Sequence, residues 1–376
     1  MSTVTATFVD TQRRWRAFDW QLLLYVVLLI GFGVAMGYSA NYQAIAAGGG
    51  ISHTVKTLIW TGIGLTLFFV AASIDYHWLQ TFATLIYVVV LGLLAATSLI
   101  GTNLFGAQMS ITIAGLDFQF SEISKVLMIV VLAAFLASRG ERIGRLSTIV
   151  GAGLLMVVPT YLVFRQPDLG TALVFVAILI GMLFLSGASV GWLALLAGAA
   201  VALAPIAVGA LHAYQRQRLF CFVNPSSDPQ GACYQLVQAL NAVGSGGLVG
   251  QGLTTGRQNQ LGFLPVQSTD FIFTVVAEEL GFVGGLVLLS MFALLVWRVL
   301  AISWGARDRL GLAIAAGMTS MLLFQILVNI GMVTGIMPVT GIPLPFITYG
   351  GSSTISLLFG LGILQSVRMH AWKPTF

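Results

Sequence analysis

The sequence predicts an all-α, polytopic integral membrane protein of about ten transmembrane helices, both termini cytoplasmic. Three observations carry this. Of 376 residues, 58% are hydrophobic and only 8% are charged, too little polar surface to cover a soluble globule of this size. The apolar runs are about 20 residues long, the length a helix needs to cross a bilayer, and they do not alternate as barrel strands would. In hydrocarbon every backbone N–H and C=O must be paired inside the protein, so without an alternating pattern only helices remain.

The expected spans are 20–40, 57–74, 80–100, 122–138, 147–164, 171–187, 191–212, 270–297, 310–333 and 352–369. The first follows Arg13, Arg14 and Arg16, which raises a cleavable signal peptide. Its length and the many spans after it favour a membrane helix instead. Lys and Arg then set the orientation. One side carries eleven, namely Arg13, Arg14, Arg16, Arg139, Arg142, Arg145, Arg298, Arg307, Arg309, Arg368 and Lys373. The other carries five, namely Lys56, Arg165, Arg216, Arg218 and Arg257, with Lys125 left inside a span. That bias places the richer side, with both termini, in the cytoplasm. The basic residues form no stripe among aromatics, so no nucleic acid is expected as a partner.

Residues 1–376 read as a single membrane domain without internal repeats, low-complexity tracts or a soluble domain at either end. Residues 214–269 form its one long extracytoplasmic segment, where a large polar substrate would be met. The stretch from Gly335 to Ser353 is apolar, yet Pro338, Pro343 and Pro345 prevent it from staying helical. Such backbone at membrane depth must be buried in protein or line a cavity, which suggests a re-entrant loop. Ser352 and Ser353 then open the last helix, where free amides and the dipole favour an anion such as phosphate. A plain turn and cap is the alternative.

The few charges are the informative residues. Glu122 and Lys125 lie three apart on one helical face, and an ionised group at bilayer depth is expected to pair or to line water. Asp168 is the nearest plausible partner for Lys125. The three form either a cavity set or a structural ion cluster. Asp270 stands where the outward segment enters the eighth span, as a helix-capping acid or as a carboxylate open to substrate. Glu278 and Glu279 follow two turns deeper and point about 100° apart, so they cannot share one pocket wall. At least one of them is expected to be structural. The four histidines show no metal-ligand spacing, and no P-loop is present. Cys221 and Cys233 are the only cysteines. Both fall in the outward segment across a Pro-containing turn, which makes a disulfide plausible beside the alternative of two free thiols.

Several runs together resemble the SEDS family (shape, elongation, division and sporulation), and within it the RodA branch. They are Gly106-Ala-Gln, Phe118-Gln119-Phe-Ser121-Glu122-Ile-Ser-Lys125, Gln166-Pro-Asp168-Leu-Gly-Thr, Tyr234-Gln235 through Gly244-Ser-Gly-Gly-Leu, and Gln258-Asn-Gln260-Leu-Gly-Phe-Leu-Pro265. Thr269-Asp270-Phe-Ile-Phe, Glu278-Glu279-Leu-Gly-Phe, Asn329-Ile-Gly-Met332 and Pro343-Leu-Pro-Phe-Ile-Thr-Tyr-Gly-Gly-Ser-Ser complete the set, which covers nearly all of the membrane core.

The resemblance implies a peptidoglycan glycosyltransferase that polymerises lipid II on the outer face of the bacterial cytoplasmic membrane during elongation, with a class B penicillin-binding protein as partner. It maps the catalytic carboxylate onto Asp270 and the polar cavity onto Glu122, Lys125 and Asp168. Asp270 would be the general base. Lys125, Arg218 and the helix end at Ser352 and Ser353 are candidates for holding the pyrophosphate. One carboxylate suffices, because a pyrophosphate leaves without an acid to protonate it, unlike a sugar in hydrolysis. An anionic leaving group also makes Mg²⁺ or Mn²⁺ a natural companion. The chain departs from the family pattern at Met109 and Ser110, Phe120, Val266 and Ser268. A lipid II flippase and a non-enzymatic scaffold for the penicillin-binding protein are the competing readings.

Overall fold

The computed structural model describes residues 15–42, 45, 51–100, 102–104, 107–113, 116–211, 213–263 and 269–371. Among the described residues six helices are long and apolar enough to cross a membrane. They are α1 (Trp20–Ala40), α2 (Ile51–Ser73), α5 (Phe120–Arg139), α6 (Leu146–Arg165), α12 (Ile272–Trp304) and α13 (Arg309–Val333). Between and after them run α3 (His77–Thr81), α4 (Ala83–Ile100), α7 (Leu169–Leu185), α8 (Val190–Ala210) and α14 (Gly351–Ala371). Three shorter helices, α9 (Ala213–Val223), α10 (Tyr234–Ser245) and α11 (Arg257–Gln260), build the segment between α8 and α12. The expected spans are thus found as helices, with ends shifted by a few residues.

Among the described residues one connection forms strands. Between α4 and α5, β1 (Thr102–Leu104), β2 (Ala107–Ile113) and β3 (Leu116–Phe118) pair in order as an antiparallel meander. Trp60 on α2 meets Phe118 edge to face, with ring centroids 5.4 Å apart, so the meander rests against the bundle.

The bundle centres on α5 and α13, the most buried of the long helices. Along α13, Gly317 leaves room for the side chains of Ile129 of α5 and Met182 of α7, small residues being the usual device for close packing where lipid supplies no hydrophobic drive between helices. Polar ties fix the helix ends. Asp19 caps α1 by accepting the Leu22 N–H at 3.0 Å, and its second oxygen takes Arg298 Nε of α12 at 2.7 Å.

The long helix α12 is kinked at Gly281, whose φ of 66° only glycine adopts without strain. A kink frees backbone groups that must find partners. Here the outward segment supplies them: the Phe282 N–H donates to the Gly247 carbonyl at 2.9 Å, and the Val283 N–H donates to that of Leu248 at 3.1 Å. In return the Gln251 and Gly252 N–H groups each donate at 3.0 Å, to the Glu278 and Glu279 carbonyls. Both Glu side chains serve the same junction. Glu278 accepts the backbone N–H groups of Gln258 at 2.7 Å and Asn259 at 3.1 Å. Glu279 accepts Ser39 Oγ at 2.5 Å and Asn259 Nδ2 at 3.2 Å. Asn259 serves both, Glu278 through its backbone and Glu279 through its side chain, so the adjacent glutamates meet at one residue rather than at separate walls, and both hold the outward segment onto the bundle.

After α13 the chain runs non-helically from Thr334 to Gly350, with Ile342, Leu344, Phe346 and Ile347 buried in protein. Asn329 Nδ2 donates to the carbonyls of Ile342 at 2.7 Å and Asp270 at 2.9 Å. Thr348 Oγ1 accepts the Leu344 N–H at 2.8 Å and donates to the Thr269 carbonyl at 3.1 Å. The loop before α14 and the approach to α12 are therefore one hydrogen-bonded unit.

Candidate functional site

A cavity of about 570 Å³ lies where α5, α7, α12 and α14 begin. Four helix N-termini converging on one space give it a positive bias from orphan amides and helix dipoles. Glu122, Asp168, Arg218, Asp270, Ser352 and Ser353 all line it. Six side chains drawn from five separate stretches of sequence thus come together.

Lys125 is the exception. It is 1% exposed, absent from the cavity wall, and its Nζ lies 2.7 Å from Glu122 Oε1. Glu122 is therefore its partner, not Asp168, because the i, i+3 spacing on α5 already puts the two together. Asp168 is engaged locally instead. It caps α7, with Oδ1 accepting the Thr171 N–H at 2.9 Å and Oδ2 facing Gln119 Nε2 at 3.4 Å.

Asp270 does not cap its helix. α12 starts one residue later than a capping Asp270 would need, with Phe271 at the cap position and no side-chain cap bond. The Asp270 backbone is anchored through Asn329, while among the described residues its half-buried carboxylate receives no hydrogen bond and joins no ion pair within 4 Å. Burial pushes its pKa up to about 6, against the pull of the Arg218 charge and with a small push from Asp168. Arg218 projects from α9 with its guanidinium carbon 5.5 Å from the centre of the Tyr214 ring, a cation–π contact.

At the opening of α14, Ser352 Oγ accepts the Gln119 N–H at 3.0 Å. Below it, Ser356 Oγ donates to the Glu122 carbonyl at 2.7 Å, tying α14 to α5. Sequence reasoning left Gln119 and Gln235 unassigned although both lie in the motif runs, and it passed over Tyr214, Gln215 and Thr340 altogether. Tyr214 and Gln215 carry no local signal. They reach the cavity because Tyr214 Oη and Gln215 Nε2 both donate to the Pro167 carbonyl, at 2.6 and 3.1 Å.

Among the described residues no group of three or more His, Cys, Asp or Glu side chains is arranged to hold a metal ion. A divalent cation in this cavity would take most of its oxygen ligands from a phosphate group and water, as Mg²⁺ commonly does. Of the atypical positions, Met109 and Ser110 fall in β2, and Phe120 is the first residue of α5, half-buried. Val266 and Ser268 lie outside the described residues.

Known proteins are similar to this one over nearly the whole chain. The peptidoglycan glycosyltransferase MrdB of Escherichia coli K12 is 39% identical over 354 residues, which cover 93% of this chain and 92% of that one. A chain in the structure of a peptidoglycan synthase complex, concerned with coordinating polymerization and crosslinking, superposes with a TM-score of 0.81 at 30% identity, covering 96% of this chain and all of the other. The rod shape determining protein RodA of Thermus thermophilus superposes with a TM-score of 0.71 at 28% identity, over 96% of this chain and 99% of its own. The family model for FtsW, RodA and SpoVE, described as cell cycle protein, matches residues 20–373, a range that takes in every transmembrane-length helix and every residue of the cavity. This chain is a member of the FtsW/RodA/SpoVE family.

Proposed function

We propose that the chain is a peptidoglycan glycosyltransferase that polymerises lipid II during cell elongation, with Asp270 as general base. The observation that carries the assignment is a difference among carboxylates. Of the three that line the cavity, Glu122 is paired with Lys125 and Asp168 caps a helix, whereas Asp270 is uncommitted among the described residues. A base must be free to take a proton and must have a pKa near the working pH. Asp270, raised to about 6, meets both conditions.

In the reaction the GlcNAc 4-hydroxyl oxygen attacks the MurNAc anomeric carbon. A new C–O bond forms as the bond to the undecaprenyl pyrophosphate breaks. The hydroxyl proton passes to Asp270 and the electron pair leaves with the pyrophosphate. Arg218, Ser352 and Ser353 line the same cavity, and in this reading the guanidinium and the amides at the start of α14 stabilise the departing charge. Lys125, held behind Glu122, acts by fixing that carboxylate.

The same reading makes residues 1–376 one domain with ten spans: the six long helices together with α4, α7, α8 and α14. Both termini then face the cytoplasm, residues 214–269 and the cavity face outward across the bacterial inner membrane, and a class B penicillin-binding protein crosslinks the glycan that emerges. Purified protein incubated with labelled lipid II, with and without that partner and with and without chelator, tests the proposal. Polymer is expected. Absence of polymer under all conditions, with lipid II translocation in sealed vesicles, would favour a flippase, and neither activity would favour a scaffold.

A further inference from the structure

We infer that the Cys221–Cys233 disulfide positions the Arg218 guanidinium in the cavity, so that opening the disulfide weakens the hold on an anionic, pyrophosphate-bearing substrate. The inference rests on the glycosyltransferase reading for the identity of that substrate but not for the positioning itself.

Among the described residues the helix that carries Arg218 has few other ties, chiefly Arg216 Nη2 donating to the Gly209 and Leu211 carbonyls at 3.3 Å near its N-terminal end. Within α9 only Gln215 and Cys221 are buried, and Ala213, Arg216, Phe220 and Val223 are exposed. A helix of 11 residues is marginal on its own in water, so its position depends on what it is tied to. The two buried residues are the two ties. At the N-terminal end, Gln215 and its neighbour Tyr214 donate to the Pro167 carbonyl, beside the Asp168 cap of α7. At the C-terminal end, Cys221 is bonded to Cys233 across 12 positions.

Cys233 is 1% exposed and occupies the cap position of α10, which packs on α12 and α13. The disulfide therefore joins α9 to the central bundle. Gln215, Arg218 and Cys221 recur at intervals of three, so they lie along one side of α9. Arg218 sits between the two ties and only one turn from the disulfide. Without the bond, α9 would keep one hydrogen-bonded end and a free end, and the guanidinium would no longer be fixed opposite Asp270.

Opening the bond takes two electrons and two protons from a dithiol such as dithiothreitol, which closes to its own cyclic disulfide. A Cys221→Ser, Cys233→Ser double variant reaches the same state without reductant. Hydrogen exchange of the full-length protein in detergent reads position, and steady-state polymerisation of lipid II reads function. In the reduced or doubly substituted protein, amides of residues 213–223 are expected to exchange about tenfold faster or more while those of α13 stay unchanged. KM for lipid II should rise about five- to twentyfold with kcat within about twofold of the parent. In an Arg218→Gln background, opening the disulfide should add less than about twofold to KM, because both changes remove one interaction.

Unchanged exchange in residues 213–223 once two free thiols have been counted, or once both cysteines are replaced, would overturn the inference. So would equal loosening of α13, or an undiminished KM effect in the Arg218→Gln background. Faster exchange confined to α9 in a protein that makes no polymer in any form would retain the positioning and reject the enzyme reading.

Discussion

Asp270 and Arg218 meet over Gly341: a methyl group added at that glycine would stand 3.3 Å from Asp270 Oδ2 and 3.7 Å from Arg218 Nη1. A carboxylate and a guanidinium, brought from α12's approach and from α9, thus share the small space that a missing side chain leaves open. The arrangement keeps the pair near enough for Arg218 to pull down the pKa of Asp270, yet outside ion-pair distance, so the carboxylate stays available as a base.

Gly341→Ala should therefore damage catalysis more than folding. The position has φ near 74°, which costs an alanine roughly 1 to 2 kcal/mol. The added methyl also crowds Asp270 Oδ2. We expect kcat/KM for lipid II to fall by about ten- to a hundredfold, with a thermal midpoint in detergent only a few degrees below the parent. Parent-level turnover would mean that the cavity next to Asp270 is not where the sugars sit.

The Glu122–Lys125 pair, with both side chains almost wholly buried, should behave as buried ion pairs do. Removing one partner, as in Lys125→Met or Glu122→Leu, leaves an unpaired charge and should cost about 3–5 kcal/mol, whereas the double apolar replacement should recover most of that loss. Unfolding midpoints of the three variants decide it. If the double variant is as unstable as the worse single one, the pair contributes through contacts other than its charge. Loss of polymerisation in the stable double variant would separate the role of Glu122 in the cavity from its role in the fold.

Much of this was legible in the sequence, and the limits have physical causes. Helix positions follow from apolar length alone, which is why 310–333 is found as Arg309–Val333 and 352–369 as Gly351–Ala371. The proximity of Glu122 and Lys125 follows from i, i+3 spacing. The meander at 102–118 gives no such signal, because its strands are short and lie in a connection that hydropathy treats as a loop. The choice between cap and free carboxylate for Asp168 and Asp270 also lay beyond local pattern. Each acid precedes an apolar run, and only the actual first turn, at Leu169 for one and at Ile272 after Phe271 for the other, separates them. The docking of residues 246–252 into the α12 kink pairs positions some thirty residues apart in sequence and was equally out of reach.

The bundle end opposite the cavity carries a titratable network. His77 Nδ1 lies 2.7 Å from Asp75 Oδ1 and its Nε2 lies 2.8 Å from Asp308 Oδ2. Tyr76 Oη donates to Asp308 Oδ1 at 2.9 Å, and His370 approaches Asp75 at 3.6 Å. Burial lowers the pKa of His77, but its bonds to Asp75 and Asp308 outweigh that and raise it overall. Burial likewise raises Asp75, and its bonds to His77 reverse the sign and lower it. A raised histidine stabilises the fold fully below its unfolded pKa of about 6.5, and that contribution is lost as pH rises through the folded value. A lowered aspartate contributes above about 4 and loses its contribution as pH falls through its folded value. The network should therefore be strongest from about pH 4 to 6.5. The difference in thermal midpoint between parent and His77→Asn should be largest near pH 6 and shrink as pH rises above about 6.5 and through the raised folded value. A difference that grew with pH would contradict the assignment.

The central claim is that Asp270 takes the proton from the attacking hydroxyl, and the pH dependence of polymerisation in parent and Asp270→Asn protein measures it most directly. Parent kcat/KM for lipid II should fall about tenfold per pH unit below an inflection near 6, the value to which burial raises this carboxyl. Asp270→Asn, correctly folded by its thermal midpoint, should lose at least about a hundredfold at pH 7.5, and its residual rate should show no inflection in that range. An Asp270→Asn protein that polymerises lipid II at the parent rate, or keeps the same inflection, would contradict the account.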